Sequence, residues 1–316
     1  VRALRIEGQH RVWVIGPEEA GERLDAALAR RWSLSRSALR LALVARDLEV
    51  DGRPGRWGER LRAGSVVRIP RLERPEPEIA VGFRVLCADA WLVAVDKDPG
   101  APVHPVRSFR TRTLLTALAA ALDDPGLRPV HRLDRETSGL VVFGRSSEAA
   151  RRLGEQFVRR SVEKRYLAVV RGEPEFERRS VELSLGRDPD FPVRCRMRVD
   201  ERGGQPATTE LRVLERRAGR ALVEAVPRTG RQHQIRVHLA ALGHPILGDK
   251  LYLDGGRAYL AQIGDRLDEA WLARLGHVRQ ALHAHRLRLV HPGTGAPLEL
   301  EAPLPDDLRG LLDVDG

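Results

Sequence analysis

The segment PRLERPEPEI, residues 70–79, sets three prolines among charged side chains and offers almost nothing to bury. Each proline fixes φ and lacks an N–H, so neither a helix nor a central strand can run through the stretch, which is extended and semi-rigid. A chain of 316 residues interrupted there must fold as a small unit followed by a large one. The front unit then occupies 17–70, the linker 71–80, the second unit 81–305, and an acidic C-terminal tail 306–316. With 42% hydrophobic and 31% charged residues, both units have the apolar side chains for a core.

In the front unit Leu24, Leu28 and Trp32 recur at helical spacing, and Ser35 stands as an N-cap before Ser37, Ala38, Leu39, Leu41, Ala42 and Leu43. Leu48 and Val50 then alternate with charges, Asp51-Gly52 signals a turn, and Val66, Val67 and Ile69 mark a strand. The second unit has strand-like stretches at 92–95, 140–143, 166–170, 181–185, 193–199, 210–214, 222–226 and 287–291. Helical periodicity is confined to 113–122, 147–159 and 234–242. Strands outnumber helices without alternating with them, so the fold class is α+β, with a mixed or antiparallel sheet in place of a doubly wound one.

Lysine and arginine total 54 against 44 acidic residues, a net charge of +10, which favours a polyanionic partner. Lys97, Lys164 and Lys250 are the only lysines, leaving 51 arginines, whose planar fork suits phosphate and stacks on bases. A GC-rich genome produces the same arginine bias, but not the sign of the charge. Glu301, Asp306, Asp307, Asp313 and Asp315 crowd the end of the chain and keep the tail from phosphate. Two cysteines, Cys87 and Cys195, make no disulfide framework and cannot alone fill a zinc site, which suits a cytoplasmic setting. The longest apolar run, 114–122, is too short to span a bilayer, so no membrane partner is expected.

The densest polar cluster is HRLDRETSG, residues 131–139, followed at once by the apolar run LVVF. Asp134 is thereby held on a loop entering the core, between Arg132 and Arg135, with Thr137, Ser138 and Gly139 supplying hydroxyls and a permissive backbone. Flanking guanidinium groups favour the ionised carboxyl that a nucleophile or base requires. Taken alone, the same aspartate also fits the cap of a turn.

HRLDRETSG resembles the signature of the RluA-type pseudouridine synthases. Blocks similar to that family's follow in the same order: PVHP with TLLTAL, EKRYLAVVRG, RMRVDERGGQPATTELRVLE, TGRQHQIRVHLAALGHPILGDKLY and LHAHRLRLVHPGTGAPLELEAPLP. Residues 17–70 are similar to the S4-like RNA-binding domain that many members carry in front. The resemblance implies isomerisation of uridine to pseudouridine within RNA, without a cofactor, and a monomer is the expected state. Large-subunit ribosomal RNA is the first substrate it suggests, and transfer RNA the second.

On the family's pattern Asp134 is the catalytic aspartate, attacking the ribose anomeric carbon or the ring, or assisting formation of a glycal. Tyr166 matches the tyrosine that stacks on the target base and is a candidate to assist proton transfer. Arg236 matches the arginine that pairs with the catalytic carboxylate, with Arg231 as the alternative partner or a phosphate contact. Arg132 corresponds to the position that enters the stack where the uridine leaves it. His131 shapes the loop by a hydrogen bond.

Phosphate contacts are expected from Arg36 and Arg40, four apart on the second front helix beside Arg30 and Arg31. They are also expected from Arg194, Arg196 and Arg198, alternating along a strand. No metal is expected: His233 and His238 are five apart with no glutamate after the first, and His283 and His285 lack a third ligand. A catalytically silent RNA-binding factor of the same fold is the competing reading, and the intact set Asp134, Tyr166 and Arg236 favours the enzyme. A glycosidase lacks its second acid. Residues 253–276 match no family block and read as an insertion or an added helix.

Overall fold

The computed structural model describes residues 5–7, 10–32, 48–70, 76–106 and 109–313. Two compact units emerge: residues 1–74 with 187–196 and 256–271, and the remainder of the chain.

In the first unit a five-stranded antiparallel sheet runs in the order Arg5–Glu7, His10–Val14, Val66–Pro70, Glu49–Val50, Arg53–Pro54. It begins earlier than the expected boundary at 17, because His10–Val14 pairs in register with Val66–Pro70. Helix Leu24–Trp32 closes one face, where Leu24 and Leu28 join Trp13, Val50, Val67 and Ile69 in a small core. The Asp51-Gly52 turn is formed, both residues at positive φ as a two-residue hairpin of these strands needs. The expected second helix, with Arg36 and Arg40, lies outside the described residues.

Residues 256–271 contain helix Arg257–Ile263 and the start of helix Glu269–Leu275, so the unmatched stretch is helical. Residues 193–199 do not form the expected strand: only Met197–Val199 is extended, paired with Leu185–Arg187. Phe191 and Val193 turn inward and are buried, and the chain reverses at Arg194 and Cys195. Three arginines on one strand face therefore do not exist. Arg194 and Arg198 are exposed, while Arg196 lies over the Phe191 ring at 5.0 Å and 3.4 Å from Asp188.

The second unit is built on a ten-stranded sheet. Its main path is Arg178–Glu182, Thr208–Arg217, Arg220–Pro227, Glu163–Arg171, Leu282–Val290, Ser138–Gly144, Leu92–Lys97 and Phe83–Ala88. Pro297–Glu301 pairs with Leu282–Val290, and Arg128–Pro129 with Ser138–Gly144. The sheet is mixed: Leu282–Val290 meets Ser138–Gly144 in parallel at one short join, and the other named pairings are antiparallel. Every residue of Ser138–Gly144 is buried, which explains its unbroken apolar text, since helices Leu114–Ala121 and Ser147–Val158 supply Leu114, Leu118 and Leu153 to the same core.

Thr113 and Ser146 cap those two helices through their hydroxyls. The residues read as an acidic tail instead form helix Asp306–Asp313, with Leu308 and Leu312 buried in the second core cluster. Its charges at 306 and 307 fall in the first turn, where the helix dipole favours acids. Among the described residues no helix is long and apolar enough to cross a membrane.

Candidate active site

Asp134 sits where strand Leu92–Lys97 ends and strand Ser138–Gly144 begins. The loop is pinned from below by Lys97, wholly buried, whose Nζ donates to the carbonyls of Asp98, Ala101 and Arg135 at 2.8, 3.0 and 3.1 Å. Burial draws the Lys97 amine down to about 7, while three carbonyls accept from it. A turn closes the loop, Thr137 N–H donating to the Asp134 carbonyl at 3.0 Å.

Gly139 follows at φ +105°, where an added Cβ would lie 2.3 Å from the Ala284 carbonyl oxygen, so the parallel join itself demands glycine. Ser138 Oγ lies 2.9 Å from His283 Nδ1. His283 Nε2 donates to the Ala302 carbonyl at 3.1 Å, and His285 Nδ1 donates to the same oxygen at 2.7 Å. These histidines are packing groups. Among the described residues no three His, Cys, Asp or Glu side chains cluster as a metal site needs.

Arg236 comes from helix Gln234–Ala241, whose residues 234–239 are all buried. Gln234 spends its amide fully: Oε1 accepts from Thr229 Oγ1 and Arg231 N, and Nε2 donates to the Thr208 carbonyl and Thr209 Oγ1. His238 bonds Thr209 Oγ1 and the Leu183 carbonyl. With the helix so fixed, Arg236 Nη1 meets Asp134 Oδ2 at 2.7 Å, while Nε and Nη2 grip Asp249 at 2.7 and 2.8 Å. Asp249 is fully buried and also accepts from the backbone N–H groups of Leu251 and Tyr252. Tyr252 lays its ring beneath the Arg236 guanidinium at 5.0 Å.

Burial would raise the Asp134 carboxyl. The charge of His233, protonated in the acid range where Asp134 titrates, the charge of Arg236 and hydrogen bonds from Arg236 and Gln280 outweigh it and hold the group down at about 2. The result is a carboxylate, about a quarter exposed, that is ionised at neutral pH and oriented through one oxygen. Tyr166, half-buried on strand Glu163–Arg171, has its phenol pushed well above the usual range by burial and by the charge of Asp134. It therefore stands beside the site as a neutral ring and O–H, and a resident phenolate base is disfavoured.

Arg132 is exposed, and its charge helps lower His104 and His233. Arg231 is tied by Nε to the Pro206 carbonyl at 3.2 Å, away from the carboxylate that Arg236 holds. His131 Nε2 accepts the Val142 N–H at 3.0 Å and its ring stacks on Phe157 at 4.7 Å. Thr137 is buried and its hydroxyl accepts from Gln280.

The residues not singled out for the site by sequence reasoning are those that surround the Asp134 loop and Arg236: Lys97, Glu136, His233, Asp249, Lys250 and Gln280. Lys250 Nζ donates to both Glu136 carboxylate oxygens at 3.0 and 2.9 Å, and Arg279 joins the Glu136 carbonyl to Asp307 of the C-terminal helix. Several lie inside quoted blocks, but nothing in a linear text marks which polar residues meet.

Comparison with known proteins places this geometry. Residues 91–241 match the family model described as RNA pseudouridylate synthase. The chain is 37% identical over 98% of its length to a ribosomal large subunit pseudouridine synthase D of Neisseria meningitidis, covering 83% of that protein. It is 37% identical to another of that name from Nitrosomonas europaea, over 93% of this chain and 85% of the relative. Among solved structures, human RNA Pseudouridylate Synthase Domain Containing 4 is 30% identical with a TM-score of 0.57, over 73% of this chain and 94% of that one. A relationship at this identity over 98% of the chain, with a mixed sheet that delivers an ionised aspartate to a buried arginine, shows that the chain belongs to the RluA-type family of RNA pseudouridine synthases.

Proposed function

We propose that this enzyme isomerises uridine to pseudouridine in large-subunit ribosomal RNA, with Asp134 as the catalytic carboxylate. The observation that carries the reading is the 2.7 Å pairing of Asp134 with Arg236, which keeps the carboxylate charged and aimed. In this reading Asp134 acts at the ribose or the ring, or assists a glycal, as positive charge develops on the sugar. Tyr166 stacks on the base, Arg236 orients the carboxylate, and Arg132 occupies the place the uridine vacates. His131, Thr137, Ser138 and Gly139 shape the loop, and Arg231 serves as an outer phosphate contact. No cofactor enters the scheme.

The choice of ribosomal RNA rests on the names of the relatives matched over most of their length. The front unit, residues 17–70 with its earlier strands, acts as an S4-like RNA-binding module, joined through 71–80 to a catalytic domain that begins at 81 and takes in the helix Asp306–Asp313 beyond the expected end at 305. Arg36 and Arg40 of that module contact phosphate, with the exposed Arg194 and Arg198 as further contacts, whereas Arg196 is engaged by Asp188 and Phe191. The net charge of +10 supports both. The site is completed within one chain, which supports action as a monomer, and two free cysteines suit the cytoplasm.

The test is to incubate the protein with unmodified large-subunit ribosomal RNA and, separately, transfer RNA, and to map pseudouridine by carbodiimide-dependent reverse-transcription stops. New stops in the ribosomal RNA are expected. Stops confined to transfer RNA move the substrate to that class, and salt-sensitive binding without stops on either identifies a silent factor.

A further inference from the structure

His233 begins the helix that carries Arg236, and it does so in the left-handed region at φ +57°. A side chain with a Cβ is strained there, and such strain collects where position matters to function. The ring is almost enclosed, 8% exposed, and is fixed at one end: Nδ1 lies 2.8 Å from Tyr252 Oη, the same oxygen that accepts the Met197 N–H at 2.9 Å. The other end, Nε2, faces Asp134 Oδ1 at 3.8 Å and has the exposed Gln232 side-chain amide nitrogen at 3.5 Å, the outer limit of a hydrogen bond. The separation from Oδ1 is too long for a hydrogen bond, and short enough that an atom docked on Oδ1 is within reach of both groups.

Burial, with the charges of Arg236 and Arg132 against those of Asp134 and Asp249, holds the imidazole down at about 4, so the ring is neutral at working pH and has one N–H. The neighbouring carboxylate attracts an N–H and repels a lone pair. Nε2 therefore carries the hydrogen, and the Tyr252 hydroxyl donates to Nδ1. Asp134 Oδ2 is already taken by Arg236, which leaves Oδ1 and the His233 N–H side by side facing the site.

We propose that His233 is a further substrate-contacting residue, its Nε2–H donating to an acceptor oxygen of the bound uridine next to Asp134 Oδ1. The inference rests on the proposed role of Asp134. Two oxygens have the right chemistry, a uracil carbonyl and the ribose 2′-hydroxyl. When the bond from C1′ to N1 breaks, its electron pair leaves with the ring and resides on the carbonyl oxygens until C5 bonds to C1′. A fixed donor there acts on charge that exists only during the reaction. At the 2′-hydroxyl the same donor would orient the sugar.

The test compares wild type with His233→Asn and His233→Gln in single-turnover pseudouridine formation on a large-subunit ribosomal RNA transcript. Asparagine tolerates the left-handed backbone but withdraws the imidazole, and glutamine keeps an N–H donor. His233→Asn is expected to slow the step about tenfold or more with RNA affinity within about twofold and an unchanged unfolding midpoint, and His233→Gln to recover part of the rate. The penalty should shrink on a transcript carrying thiouridine at the target if the carbonyl is the acceptor, or 2′-deoxyuridine if the hydroxyl is. A rate within about twofold of wild type for His233→Asn, or a penalty equal on every transcript, overturns the inference. An Asp134→Asn control separates the two ideas: activity there removes the reading of Asp134, whereas a dead Asp134→Asn beside a fully active His233→Asn removes only this one.

Discussion

Arg236 is shared between two carboxylates, and the less visible one does more to fix it. Asp249 takes two of its nitrogens from a fully buried position, so only Nη1 remains to meet Asp134. Removing one partner of a buried ion pair leaves the other charge uncompensated, at a cost of about 3–5 kcal/mol. Asp249→Ala should lose at least about 3 kcal/mol in urea unfolding and nearly all activity, and a loss below about 1 kcal/mol would contradict the shared-arginine account. Asp134, Tyr166 and Arg236 were legible in the sequence because each lies in a block with a family resemblance. Asp249 lies in such a block too, yet GDKLY reads as a turn, and its partnership depends on a helix start thirteen residues earlier. The fixing of Arg231 on Pro206, by contrast, decides between two arginines that the text left open.

The strands were readable because alternation and apolar runs report burial directly. The join between Leu282–Val290 and Ser138–Gly144 was not, since parallel pairing of distant segments leaves no local trace, except through Gly139. Gly139→Ala would press a Cβ on the Ala284 carbonyl at 2.3 Å and force positive φ on alanine, so a loss of about 2–3 kcal/mol is expected. Gly154, inside helix Ser147–Val158, has nothing within 4 Å of an added Cβ, and Gly154→Ala should gain about 0.5–1 kcal/mol. Equal effects of the two substitutions in chemical denaturation would count against the assigned join. Residues 193–199 misled because alternating arginines mimic a half-buried strand, whereas Phe191 and Val193 anchor a turn. The end of the chain misled through its acids: Leu308 and Leu312, four apart, carried the helical signal that charge obscured.

At the scale of the whole molecule, the linker signalled two units, but residues 187–196 and 256–271 group with the front one, an assignment no linear text contains. The site also imposes a pH dependence. His131, His233 and His283 are held down by burial at about 3, 4 and 4, against about 6.5 unfolded. Below pH 6.5 the unfolded chain takes up protons that the folded one refuses, so stability falls as pH drops toward 4, at up to about 1.4 kcal/mol per pH unit for each histidine. Asp134 and Asp307, both lowered, add stability that is present above about pH 4 and lost as pH falls through their folded values. The melting temperature should decline steadily from pH 7 to 4, and a flat profile over that range would contradict the buried neutral histidines. The most direct test of the central claim is the single-turnover rate of pseudouridine formation for wild type and Asp134→Ala on the same ribosomal RNA, with binding measured alongside. The account predicts no product from Asp134→Ala at an RNA affinity within about twofold of wild type, and product formed by Asp134→Ala at the wild-type rate would contradict it.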